Sequence, residues 1–374
     1  MKSSKFPKLL SVGLALAGLT LTANLRADVT LVVDGGNASR NLLFDRASNI
    51  LSGFTVVVKD ANTRSFIGGT LISNPGLGKV NLHFAQNGAT LGLFNLRDQV
   101  GEVLATNGPA APQLTVSGAQ PETVGIDGSV FTSTRTLVVP FGFIKNPAKS
   151  PNLANVTNLT QRQIAYLQGA SGTLPSAFLG GSATNDIVYV VGRDTGAAVR
   201  QIIDANIYFT ATPSFWTTNR LSYQTNAAYN ALYNGVYSNT VIGGPVPNPL
   251  GGHNSGALVT ADPNQLGNAI GTVASGDFGV FTTLSYEGFQ PTKQNIAKGY
   301  YPIWGYEQWY YKNAGAGQPS PQQLIVINAL RDAVTDYTYQ HTAGNVFDTG
   351  KFVPLGDLEV ERSSDGGPIT SLLY

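Results

Sequence analysis

Apolar and polar positions sort the chain into strand and helix from residue 28 onward. Residues 28–33 (DVTLVV) form an almost unbroken apolar run of strand length, which reads as a buried strand. The polar loop Asp34-Gly35-Gly36-Asn37-Ala38-Ser39 follows it. Residues 38–51 then place Leu43, Ala47, Ile50 and Leu51 on one helical face. Residues 54–59 and 65–72 alternate like a hairpin, and 79–84 reads as another strand. It is followed by Gln86-Asn87-Gly88-Ala89-Thr90 and a short helix through Leu96. A strand over 113–116 runs into Ser117-Gly118. The apolar run 136–144 (TLVVPFGFI) contains Pro140. Proline cannot donate to a ladder, so this run reads as a crossing strand or hinge rather than a central strand.

The second half of the chain repeats the pattern. Residues 160–168 read as a helix. Residues 186–191 (DIVYVV) read as a buried strand ending in Gly192-Arg193-Asp194-Thr195-Gly196, and 197–206 carries Val199, Ile202 and Ile203 at helical spacing. Recurring strand–loop–helix units predict an α/β protein with mixed, mainly parallel sheets flanked by helices. Residues 209–256 break the pattern. They are rich in Asn, Thr, Gly and aromatic residues (Phe215, Trp216, Tyr223, Tyr229, Tyr233, Tyr237), with one helical piece expected near 225–233. Residues 269–284 return to small and apolar types. The aromatic run 299–311 (GYYPIWGYEQWYY) predicts a second crossing strand. Residues 321–340 predict an amphipathic helix with Leu324, Ile327, Leu330 and Val334 on one face. No internal repeat of fixed period is visible.

Length and composition narrow the function. A chain of 374 residues suits two domains or one large one. With 42% hydrophobic and 12% charged residues it can build a large core and is not a disordered chain. The absence of cysteine excludes disulfides, zinc–thiolate sites, iron–sulfur clusters and cysteine nucleophiles. At the N-terminus, Lys2, Lys5 and Lys8 precede the uncharged run 9–21 (LLSVGLALAGLTL), and Ala23 and Ala27 are small-residue exits. This is the architecture of a cleaved secretory signal over 1–27, and the run is too short for a comfortable membrane span. That segment holds four of the 23 basic residues and no acid. The chain beyond it has 19 basic and 22 acidic residues, a net charge of −3, which argues against a nucleic-acid binder. A cysteine-free exported protein suits a bacterial envelope, periplasmic or secreted.

Catalytic signatures are missing. The chain has no G-x-S-x-G, H-E-x-x-H, P-loop or G-x-G-x-x-G motif, and no acid pair or metal-ligating cluster stands out. Of the three histidines, His83 falls inside a strand and reads as packed, and His253 lies in a Gly-rich loop. What recurs is a polar, small-residue loop between a strand and a helix: Asn37-Ala38-Ser39, Gly88-Ala89-Thr90, and Arg193-Asp194-Thr195-Gly196-Ala197, with Ser117 closing a fourth strand. Backbone N–H groups at a helix N-terminus suit an oxyanion, and Arg193 adds a permanently charged donor fork. Any one loop could equally be a helix cap kept for stability. Three together, one with arginine, point to a binding cleft at strand C-termini.

The order of these motifs resembles the phosphate-binding substrate-binding proteins of bacterial ABC transporters, within the two-lobed type 2 periplasmic-binding-protein fold. The resemblance runs over most of the chain beyond residue 27. It rests on the loop Gly35–Ser39, the segment Phe84–Gly92, Val138-Val139-Pro140-Phe141-Gly142, Asn158-Leu159-Thr160 with Ile164–Gly169, Arg193–Ala197, Asn268–Thr272 and Tyr301-Pro302-Ile303. It implies two α/β lobes, 28–138 with 300–374 and 139–299, joined by two crossing strands, with 209–256 an insertion in the second lobe. It also implies a ligand site at Asn37, Ala38, Ser39, Gly88, Ala89, Thr90, Ser117, Arg193, Asp194, Thr195, Gly196 and Ala197. Ser117-Gly118 stands where that family carries an aspartate that accepts the proton of hydrogen phosphate. The arginine loop is shorter, and Ala197 replaces a threonine.

The expected function is therefore non-catalytic capture of a small oxyanion, phosphate first, by an exported monomer, delivered to an ABC transporter permease. Neither metal nor cofactor is called for, and nucleic acid is not a partner. A second reading keeps the fold and makes the protein a secreted or surface interaction protein that has lost small-anion binding and uses the aromatic segment 209–256.

Overall fold

The computed structural model describes residues 27–106, 108–169, 174–194, 196–208, 215–219, 241–247 and 256–372. The helix expected near 225–233 and the whole 1–26 segment lie outside the described residues. The elements that position the site are strands β1 (Val29–Gly35), β2 (Thr55–Val58), β3 (Thr63–Leu71), β4 (Lys79–Ala85), β5 (Leu114–Ser117), β6 (Phe131–Lys145), β7 (Tyr189–Val191), β8 (Ala269–Ala274), β9 (Thr282–Tyr286) and β10 (Trp304–Lys312). The helices are α1 (Arg40–Ile50), α2 (Ala89–Asp98), α3 (Gln161–Gly169), α4 (Ala198–Asn206), α5 (Gly256–Gln265), α6 (Pro321–Val334) and α7 (Tyr337–Gln340).

The fold is α/β and two-lobed, and one large mixed sheet runs through it in the order β9-β6-β10-β5-β1-β4-β3, with β7-β8 joined to β6. The strands that carry the polar loops pair in parallel: β1 with β4 and β5, and β7 with β8. Beyond these, among the described residues, only Asn158-Leu159 pairs in parallel, with β9. The two long strands β6 and β10 and the β2–β3–β4 meander add antiparallel ladders, which outnumber the parallel ones. A meander needs only short turns, and β6 and β10 pass each other in opposite directions, so neither requires a helical crossover.

Strand β6 explains its own proline. Up to Pro140 it pairs with β10, and from Phe141 onward it pairs with β8. The missing N–H of Pro140 thus falls where the ladder changes partner, so a proline costs little there. The same point is tied across: Phe141 N–H donates to Ile303 (3.0 Å) and the buried Tyr301 hydroxyl donates to the Phe141 carbonyl (2.6 Å). Buried Arg362 donates to the carbonyls of Trp304 (2.9 Å) and Pro302 (2.6 Å), with its guanidinium 3.9 Å above the Trp304 ring. Those bonds satisfy a charge that would otherwise be costly to bury.

One apolar core follows the sheet from Leu31, Val33 and Leu82 through Val138 and Phe143 to Val190 and Ile270. The amphipathic segment 321–340 is two helices rather than one. Ser320 and Gln323 form a capping box at the start of α6, and the Asp336 side chain accepts from Tyr339 N–H to start α7. A side chain that competes for the backbone in this way ends one helix and begins another.

Candidate functional site

Parallel pairing brings the C-terminal ends of β1, β4 and β5 together, and backbone bonds knit the loops that leave them. Gly36 N–H donates to the Val116 carbonyl and Gly88 N–H to the Gly35 carbonyl, each at 2.8 Å. Behind these loops lies a buried polar layer. Asp34 accepts from Gly35 N–H (2.7 Å) and from Asn95 (2.7 Å), and Asn95 also reaches Glu102 (2.9 Å). Burial, with Glu102 close by, raises the Asp34 pKa well above the usual carboxylate range.

The loops open onto a cavity of about 50 Å³. Six of the residues expected from the sequence line it: Asn37, Ala38, Gly88, Ala89, Arg193 and Ala197. They come from three loops on both sides of the crossing strands. Ser39 and Thr90 are fully buried just behind the wall; the Thr90 hydroxyl has no hydrogen-bond partner among the described residues, and the Ser39 hydroxyl faces the Glu307 carboxyl. Asp194 and Gly196 are buried in the Arg193 turn, and Thr195 lies outside the described residues. Ser117 is placed differently from expectation. Its hydroxyl donates to the Ala119 carbonyl (2.8 Å) and accepts from Ala119 N–H (3.1 Å), so both of its capacities serve the turn. Gly118 lines the cavity in its stead.

The N-cap residues of α1, α2 and α4 are Ser39, Gly88 and Ala197, and none makes a side-chain cap bond. The first N–H groups of a helix need partners. Gly88 and Ala197 have no side-chain acceptor to offer and Ser39 leaves its own unused, so none of these three helix starts is capped by its N-cap side chain.

Two carboxylates line the same cavity, and the sequence did not single them out. Glu307 comes from β10 and is 2% exposed. Burial pushes its pKa up to about 8, against a smaller downward pull from the Ser39 hydroxyl. Asp277 lies at the mouth, half-buried, and forms the wall shared with a second small cavity that also holds Arg40 and Lys351. Burial raises its pKa, while Arg193, Arg40 and Lys351 pull the other way. Its Oδ2 approaches the first residue of α5 so closely that a Cβ on Gly256 would meet it at 2.0 Å. Among the described residues no group of three or more His, Asp and Glu is arranged to hold a metal. His83 is packed as expected, with Nδ1 2.8 Å from the Ser65 hydroxyl.

Comparison with known proteins agrees on architecture. No family model and no curated protein matches the chain by sequence. Among solved structures, a substrate-binding protein assigned to a phosphate ABC transporter of Clostridium perfringens, solved with bound phosphate, superposes with a TM-score of 0.53 at 12% identity. The match covers 87% of this chain and 99% of that one. A phosphate-binding protein of Stenotrophomonas maltophilia (TM-score 0.47, 14% identity, 87% and 91% covered) and an ABC-type phosphate transport receptor of Vibrio cholerae (0.44, 15%, 81% and 93%) are also similar. At such identities the likeness is one of fold. No helix among the described residues is long and apolar enough to cross a membrane.

Proposed function

We propose that this protein is an exported solute-binding protein that captures a small oxyanion, phosphate first, and hands it to an ABC transporter permease. The observation that carries the reading is the convergence of three helix N-termini without side-chain caps and Arg193 on one cavity. The lobes are 28–138 with 300–374 and 139–299. They close over the ligand by hinging where Phe141 meets Ile303 and Tyr301, since two tied crossing strands can absorb a rotation while the ladders on either side stay intact. Capture needs no bond-making step, and the named residues only donate to and enclose the anion.

The test is a titration of the purified, metal-free protein with phosphate, sulfate and buffer controls, followed by calorimetry and by tryptophan fluorescence; Trp304 and Trp309 are buried in β10. Saturable binding of one of these anions is expected, and a folded protein that binds neither would sink the reading. The interaction-protein reading gains no support from the described part of the aromatic segment. Phe215 is buried, and its ring packs where a Cβ on Gly192 would come within 2.3 Å.

Asp277 provides a further check. It is a like charge at the mouth of an anion cavity, and each tenfold in affinity is worth about 1.4 kcal/mol. Asp277→Asn is expected to strengthen sulfate binding about three- to tenfold at low salt, and the gain should shrink as added salt screens the charge. Weaker binding in this variant would show that Asp277 instead helps to hold Arg193 in place.

A further inference from the structure

Strand β10 has a register shift against β6 between Glu307 and Gln308: Glu307 faces Leu137, whereas Gln308 faces Arg135. The extra residue is Thr136 of β6, whose hydroxyl donates to the Glu307 carbonyl (3.1 Å) and ties β10 at this point. The Glu307 carboxyl lies in the wall of the oxyanion cavity, on the same face of β10 as Gly305, where an added Cβ would meet Gly118 and Phe141, and its Oε1 is buried and accepts no hydrogen bond within 3.5 Å among the described residues. The Asn37 Oδ1 is unsatisfied in the same way, and the Ser39 hydroxyl is the polar group that faces the Glu307 carboxyl. A buried polar atom that has no partner costs stability. Two such atoms on residues lining one cavity indicate groups kept for something that enters it.

We propose that Glu307 binds the oxyanion as a neutral carboxylic acid, donating its O–H to an anion oxygen, so that the cavity accepts fully deprotonated anions such as sulfate as well as phosphate. This rests on the oxyanion reading of the cavity. An ionised carboxylate would repel any anion and could accept only from an anion that still carries a proton. A neutral acid offers one donor and keeps an acceptor, and so serves both kinds. Its burial favours the neutral form. The surroundings agree. Leu137, Val139 and Phe141 of β6, Gly118 after β5, and Ala197 and Ala198 at the start of α4 carry no charge, and Ser39 before α1 is a hydroxyl. The charged groups that share the cavity are Arg193, which favours an anion, and Asp277, which opposes one.

Sulfate is the probe, because its own charge does not change between pH 6.5 and 9.5. Where binding requires the neutral acid, affinity is flat below the folded pKa and falls above it. The wild-type protein is expected to bind sulfate about tenfold more weakly at pH 9 than at pH 7. Glu307→Gln, which fixes a neutral donor of the same shape, should bind equally at both. Asp277→Asn should keep the wild-type pH profile, which separates the two acids. Circular dichroism and thermal melting confirm that each variant is folded. Phosphate binding with sulfate excluded would overturn the inference and leave the oxyanion reading standing. A flat wild-type profile, or the same fall in Glu307→Gln, would do likewise. A folded wild-type protein that binds neither anion at pH 6.5 would overturn both.

Discussion

Arg193→Ala is expected to weaken oxyanion binding by about ten- to a hundredfold or more. Parallel pairing of β7 with β8 carries the chain to the cavity edge, where Gly192 ends the strand and Arg193 enters the lining. A hydrogen bond to a charged group contributes roughly 1.5–3 kcal/mol, and each 1.4 kcal/mol is about a factor of ten in affinity. One lost bond therefore reaches the lower bound and two exceed the upper one. Arg193→Lys should restore only part of the affinity, because an ammonium keeps the charge and loses the planar fork. The alternative is that the side chain serves the fold, since its charge already acts on Asp277. In that case Arg193→Ala lowers the melting temperature and leaves affinity unchanged. Both quantities measured on one preparation decide the matter. Repeating the pair on an Asp277→Asn background shows how much of any loss comes from freeing that carboxylate.

The loops around the cavity were legible because they interrupt apolar periodicity at strand ends with small, polar residues, and parallel strands gather such ends on one edge. Their side chains were legible only in part. Asn37, Ala38, Gly88, Ala89, Arg193 and Ala197 reach the cavity, whereas Ser117 turns inward to its own tight turn. A hydroxyl beside a turn has a local partner to hand, and nothing in the residue type says which partner wins. Glu307 left a faint trace as the lone charge in the aromatic run 299–311. It shares a strand face with Gly305, and that this face borders Gly118 and Phe141 is set by distant elements that its own run does not record. Asp277 left no trace, because its role comes from cations brought in by distant elements: Arg40 at the start of α1, Arg193 after β7, and Lys351 near the C-terminus. Strand 186–191 also contracts to Tyr189–Val191, with Val188 bridging to Leu174 instead. Apolar runs mark burial well and ladder ends poorly.

Gly35→Ala is expected to cost about 3 kcal/mol or more, a large part of the 5–15 kcal/mol that holds a typical domain together. Gly35 is the last residue of β1 and has φ +134°, where a side chain is strained at about 1–3 kcal/mol. An added Cβ would also stand 2.0 Å from the Val116 carbonyl oxygen and 2.7 Å from the Val116 nitrogen. Those are backbone atoms of the adjacent β5, already fixed by the bond from Gly36 N–H, and overpacking of this kind adds roughly 1–3 kcal/mol. Retreat on the other side is blocked, because α2 crosses so closely that a Cβ on Gly92 would lie 2.8 Å from the Gly35 Cα. Gly53→Ala is the control. Gly53 also has positive φ, at +64°, but a Cβ there meets nothing within 4 Å, so only the conformational term of about 1 kcal/mol applies. Urea unfolding of both variants measures the difference. Equal losses would mean that the approach of β1 to β5 is looser than the bonded geometry requires. Because Gly36, Asn37 and Ala38 follow directly and line the cavity, any Gly35→Ala protein that still folds should also bind oxyanions more weakly, as the displaced loop carries its N–H groups away from the site.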